Sequence, residues 1–199
     1  MASESRLTGT DIVVLARNYN PSIVSKDWLQ RKGIITEAVS NFVHTPPFSL
    51  IETEQIALTV EEERLQISLK VMNEDNIERL PRIVERFVLS LPETPYVATG
   101  FNYSYRLPKE ASKLAAFLTP NDTKLREVFS GEYEVGMAVV FRFKDCRVRV
   151  TMSPPRDASV VVDFNFHSNT PDSALVLERL KSHHQTREEA ERILKELCK

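Results

Sequence analysis

Glycine is scarce in this 199-residue sequence, at 5 residues. Neither GxxxxGKS, GxxxxGKT nor GxGxxG occurs, so nucleotide binding through a glycine-rich phosphate cradle is not expected. Cysteine is rarer still. Cys146 and Cys198 show no CxxC spacing and no nearby pair of histidine ligands, which argues against both a disulfide scaffold and a zinc framework. Long apolar runs are missing: residues 12–16 and 137–141 fall far short of the ~20 needed to cross a bilayer as a helix. An excess of one charge is missing too. With 26 Lys+Arg against 28 Asp+Glu, the net charge of −2 gives no general reason to expect a nucleic-acid or anionic-membrane partner.

What is present describes an ordinary globular chain, 42% hydrophobic and 27% charged. The first ten residues are polar, without an apolar stretch behind a basic start, so a cytoplasmic, prokaryote-like protein is the expectation. The length fits one domain over residues 1–199, with two similar halves, 1–118 and 119–199, as the variant reading.

Prolines, 11 of them, mark most of the breaks. Residues 11–17 read as an interior strand, and residues 22–31 as a short helix that Gly33 stops. Residues 34–52 read as strand interrupted at Pro46-Pro47, an edge or corner because proline cannot donate to a ladder. Strict alternation follows in Ile56, Leu58, Val60 and again in Leu65, Ile67, Leu69, with Glu61-Glu62-Glu63 as the hairpin turn. Ile77, Leu80, Ile83, Val84, Phe87, Val88 and Leu91 then trace one helical stripe. Asp75 and Glu78 have the spacing of a capping box, and Pro81 should kink or restart the helix. Residues 96–107 return as strand, with Gly100 marking a bulge or a close backbone approach.

Two short helices are expected at 109–118 and 122–129, then a long hairpin, 132–144 against 147–153, turning at Asp145-Cys146. A strand at 159–167 precedes a helical tail, capped at Thr170-Pro171, with a second capping box at Thr186–Glu189 and a junction at His183-His184. Hairpins dominate and regular βαβ alternation is lacking. The expected fold is α+β in two layers: a mainly antiparallel, possibly mixed, sheet with helices on one face.

Catalytic chemistry finds little support, and no cofactor, metal ligand or catalytic residue is assigned. No GxSxG elbow occurs, and His44, His167, His183 and His184 read as surface or half-buried polar residues. Asp163, on a strand between Val162 and Phe164, is the carboxylate that stands out. With His167 and Arg142 or Arg149 it could serve a metal-dependent phosphodiesterase, provided a second acid folds close to it.

The most informative feature is a basic surface. A turn at Asp145-Cys146 sets Lys144 opposite Arg147 and Arg142 opposite Arg149, four cations on one sheet face. Arg106, Asn102 and Ser104 from one strand, Arg64, Gln66, Ser68 and Lys70 from another, and the row Asp163, Asn165, His167 could share that face. Tyr103 and Tyr105 alternate to the opposite side, which disfavours a single-stranded nucleic-acid site built on stacked bases. Arg142, Lys144, Arg147, Arg149, Arg106 and Asp163 are therefore the candidate binding residues.

Residues 41–46 (Asn-Phe-Val-His-Thr-Pro), 64–68 (Arg-Leu-Gln-Ile-Ser), 91–96 (Leu-Pro-Glu-Thr-Pro-Tyr), 99–103 (Thr-Gly-Phe-Asn-Tyr) and 162–164 (Val-Asp-Phe) together resemble sporadically distributed prokaryotic proteins of unknown function. That resemblance implies a stand-alone small protein with an accessory role in a mobile or defence-type locus, and no activity. Element order alone is similar to that of secretion-type chaperones, an analogy of fold. The expected function is a non-enzymatic protein-binding or adaptor protein, partnered by another protein or by itself as a homodimer. Nucleic acid is not favoured and no membrane is involved. A phage- or particle-derived assembly protein is the structural alternative.

Overall fold

In a computed structural model the period-2 patterns become strands of one sheet, nine-stranded among the described residues. The structure describes residues 5–108, 125, 127–129, 133–153 and 159–198. The strands are β1 (Arg6–Ala16), β2 (Asn41–Thr45), β3 (Phe48–Glu52), β4 (Ile56–Glu61), β5 (Arg64–Leu69), β6 (Tyr96–Pro108), β7 (Met137–Phe143), β8 (Cys146–Met152) and β9 (Ser159–Asn169). Their order is β2-β3-β4-β5-β1-β6-β9-β8-β7, and every pairing is antiparallel. With helices α1 (Lys26–Arg31), α2 (Glu74–Ser90), α3 (Ser173–Leu180) and α4 (His183–Leu197), this is a mainly-sheet α+β fold.

One plan is used twice. A long strand is laid down, a meander returns to lie beside it, and helix follows: β1, then β2 to β5, then α2; and β6, then β7 to β9, then α3 and α4. The two long strands, β1 and β6, pair at the centre. The dividing point expected at residues 119–120 lies outside the described residues. So does the helix expected at 109–118, and of the one at 122–129 a single turn is described, where the Phe129 N–H donates to the Leu125 carbonyl at 2.8 Å.

The alternate positions of the strands are buried as the sequence pattern requires: Ile12 and Val14, Leu65 and Ile67, Phe101, Tyr103 and Tyr105, Phe164 and Phe166. The helical stripe of α2 is buried from Ile77 to Val88. Phe87 from this stripe meets Trp28 of α1 edge-on at 5.6 Å and Tyr19 at 6.4 Å, pairs worth about 0.5–1.5 kcal/mol beyond their burial. Tyr103 reaches α4, its hydroxyl donating to the His183 carbonyl and lying 2.9 Å from Thr186 Oγ1.

Several local expectations shift. The cap of α2 is Asn73, whose side chain accepts from the Asn76 N–H, so Asp75 and Glu78 form no capping box. Pro81 lies inside α2 as one uninterrupted helix, because the buried stripe on both sides of it holds the segment against the sheet and α3. Asp172, not Thr170, caps α3 through the Leu175 N–H. Thr186 is buried within α4, donating to the His183 carbonyl one turn back, and caps nothing. The expected helix at 22–31 splits into a 3-10 turn (Pro21–Ile23) and α1, capped by Ser25. Gly33, at φ 63°, does follow its end. Gly100 sits in regular pairing, whereas the register shifts in this pair of strands fall between Leu7 and Gly9 and between Leu15 and Ala16.

The hairpin register also differs. Phe143 pairs with Cys146, so Lys144-Asp145 is the turn, and Lys144 takes the positive φ, 53°, that the favoured two-residue hairpin turns need at their first central residue. Arg142 therefore opposes Arg147, and Arg149 opposes Val140. Both registers keep apolar residues on one side, since they differ by a two-residue step. The observed one buries Cys146 and leaves one facing pair of like charges where the expected one had two.

Candidate binding face of the sheet

The strand positions between the buried ones form a second, polar surface. One cross-strand row runs the full width of the sheet in register: Asn41, Glu52, Ala57, Ser68, Asp11, Asn102, Asn165, Arg149 and Val140. Glu52 lies beside Asn41 near one end, Asp11 at the centre next to the amides of Asn102 and Asn165, and Arg149 towards the far end. Asn41 Nδ2 donates to Glu52 Oε2 at 2.8 Å, and Lys70 Nζ stands 3.5 Å from Glu52 Oε1. The hydrogen bond from Asn41, then the charge of Lys70, lowers the Glu52 carboxyl below its ordinary value.

At the centre, Asn102 Nδ2 donates to Asp11 Oδ1 at 2.7 Å, and Asn165 Nδ2 donates to Asn102 Oδ1 at 2.6 Å. Burial pushes the Asp11 carboxyl above its ordinary value, only partly offset by the hydrogen bond from Asn102, the charge of Arg64 and the hydrogen bond from Gln66. Asp11 had read only as the start of an apolar strand. The signal was there: an acid heading a run of Ile, Val, Val and Leu must be partnered on the sheet.

The arginines stand in neighbouring rows. Arg147 lies between His167 and Arg142, and Arg149 between Asn165 and Val140. All three are exposed, and among the described residues none has an ion-pair partner. Arg106 is exposed farther along β6, opposite Arg6 of β1. Asp163, also a candidate binding residue, is engaged elsewhere: its carboxylate accepts from Ser104 Oγ at 2.6 Å, with Thr151 opposite on β8. Lys144 leaves the strand for the turn, where its Nζ donates to Gln185 of α4. Of the six candidates, then, Arg142, Arg147 and Arg149 come together, Asp163 lies beside them engaged with serine, and Arg106 and Lys144 stand apart.

The metal-dependent reading needs a second acid beside Asp163, and the cross-strand neighbours there are Ser104 and Thr151. His167 shares its strand face but lies four residues on, ~13 Å at strand rise. Among the described residues no three histidine, cysteine or acidic groups gather as a metal site would require.

The histidines have structural placements. His44 Nδ1 lies 2.7 Å from Ser49 Oγ, and its ring stacks on Phe42. His184 is 3.4 Å from Glu188. His183 departs from the surface reading: it is buried against Phe101 and Tyr103, with ring centroids 5.2 and 5.5 Å away. Burial, then the nearby Arg187 and His184, lowers its pKa to about 4. Cys146 is a buried thiol 3.1 Å from Ser168 Oγ, pushed up by burial, and neither cysteine is in a disulfide. No helix among the described residues is long and apolar enough to cross a membrane. The sequence matches no protein-family model, and comparison with curated proteins finds no match.

Proposed function

We propose that this is a non-enzymatic binding protein whose polar sheet face receives an acidic segment of a partner protein. In this reading the chain is one domain of two layers. Supporting that are the contacts of α4 with Tyr103 and Tyr105 and of α3 with Cys146, all on the buried side of the sheet, away from the polar row. The observation behind the binding role is the arginine cluster. Arg142, Arg147 and Arg149 stand exposed and unpaired among the described residues, while the neighbouring Asp163 carboxylate accepts from a hydroxyl. Three unpaired guanidiniums beside a row of amides offer charge-assisted, forked donors to carboxylates, and Asn102 and Asn165 offer the neutral donors and acceptors of an extended peptide.

A protein segment fits better than a nucleic-acid strand. Phe101, Tyr103, Tyr105, Phe164 and Phe166, which could stack on bases, are all buried on the other side. Fluorescence anisotropy with a labelled oligoglutamate peptide, beside a single-stranded oligonucleotide, at two ionic strengths tests this. Arg147→Ala with Arg149→Ala should weaken the peptide by at least about tenfold, ~1.4 kcal/mol, and remove most of the salt dependence while the melting temperature holds or rises slightly as the Arg142–Arg147 repulsion is relieved. Equal peptide binding by the double variant, or binding of the oligonucleotide alone, would overturn the reading.

A further inference from the structure

The outer edge of β7 ends the sheet, and nothing among the described residues pairs with it. We infer that this edge pairs with the same edge of a second copy, antiparallel across a two-fold axis at Val140, continuing the sheet from one chain into the other. The inference stands independently of the acidic-partner reading.

Hydrogen-bonding parity comes first. Residues flanking a two-residue hairpin turn form a hydrogen-bonded pair, so Phe143, and with it Phe141, Val139 and Met137, directs its peptide groups to β8. Ala138, Val140 and Arg142 direct theirs outward. A row of unpaired N–H and C=O groups is a template for another strand, and chains that stay single normally blunt it with proline, lysine, a bulge or brevity. β7 has seven residues in unbroken register and neither proline nor lysine among them. The opposite edge, β2, is blunted: it has five residues and runs directly into Pro46-Pro47.

Side chains then select the register. Val139 and Val140 are 41% and 49% exposed, one on each face of the edge, large aliphatic groups left in water. Two-fold pairing keeps each residue opposite one of its own parity, and centring on Val140 lets all three outward residues bond. Val140 then meets its own counterpart, Ala138 meets Arg142, Val139 meets Phe141, and Met137 meets Phe143. No arginine faces another across the seam, and one face of the seam is wholly apolar. Cross-strand aliphatic and aromatic pairs of this kind are the unit of sheet stabilisation.

Light scattering on a sizing column at tens of micromolar should give twice the chain mass of 22.8 kDa. Val140→Lys, which sets two cations face to face, should return the single-chain mass with an unchanged circular dichroism spectrum. Phe42→Lys on the β2 edge should leave the doubled mass. Should Val140→Lys fold poorly, Val140→Cys in a Cys198→Ser background should be joined into a dimer by a short bis-maleimide, whereas Arg147→Cys on β8 should not. A single-chain mass for the unaltered protein, dissociation by Phe42→Lys instead of Val140→Lys, or no link at Cys-substituted position 140 would each overturn the inference.

Discussion

Asn102 stands between an acid and an amide, its Nδ2 2.7 Å from Asp11 Oδ1 and its Oδ1 2.6 Å from Asn165 Nδ2. The amide is thereby fixed in orientation, because only its N–H₂ can serve Asp11 while its oxygen serves Asn165. Desolvation of Asp11 outweighs its hydrogen bonds from Asn102 and Gln66 and the charge of Arg64.

That balance sets a pH dependence. A carboxyl whose folded pKa lies above its unfolded value adds stability only below the unfolded value, and that stability is lost as pH rises through the folded one. Asp11→Asn keeps an acceptor for Asn102 and removes the half-buried charge. It should raise the melting temperature by a few degrees at pH 7, and the gain should vanish on acidification to below pH 4, followed by thermal melts across that range.

His183 works in the opposite sense. Its folded pKa of about 4 lies below the unfolded ~6.5, so the unfolded chain takes up the proton first. Stability should be full above pH 6.5 and fall as pH drops from 6.5 to 4, by about 3 kcal/mol in all at 1.36 kcal/mol per unit. Urea unfolding at pH 7, 5.5 and 4 measures it, and His183→Phe should flatten this limb.

The Tyr103 hydroxyl is buried between the His183 carbonyl and Thr186. Tyr103→Phe should cost about 0.5–1.5 kcal/mol in urea unfolding, more if the His183 carbonyl is left without its Thr186 donor as well.

The hairpin register makes a sharp distinction between two arginines. Arg142 faces Arg147 and Arg149 faces Val140, so Arg142→Ala should stabilise by ~0.2–1 kcal/mol at low salt and Arg149→Ala should not. The difference should shrink in 1 M salt, where the screening length falls to about 3 Å.

Thiol chemistry should separate the two cysteines. Burial raises both thiols, but Cys146 is buried while Cys198 is half-buried at the end of α4, so access separates them. A thiol reagent at neutral pH should modify Cys198 first, and Cys146 only once the chain unfolds.

Much of this was legible in one dimension. Alternation at Leu65, Ile67 and Leu69 and the 3.6-residue stripe from Ile77 to Val88 are local signals of which face is dry, and they fixed the strands, the main helix and the polar side bearing Arg147 and Arg149. What they could not separate is any pair of arrangements that bury the same residues. The turn at Lys144-Asp145 and the one expected at Asp145-Cys146 differ by a step that preserves parity, and the choice fell to long-range contacts: Cys146 against Ser168, and Arg179 with Asp145. Caps moved by a residue or two for a similar reason, since Asn73 and Asp172 compete locally with Asp75 and Thr170, and helix packing decides where the first turn begins. The pairing of β1 with β6, and with it the meeting of Asp11, Asn102 and Asn165, joins residues about ninety and sixty positions apart. Periodicity says which way each side chain points, and only the closure of the sheet decides which neighbour it finds there.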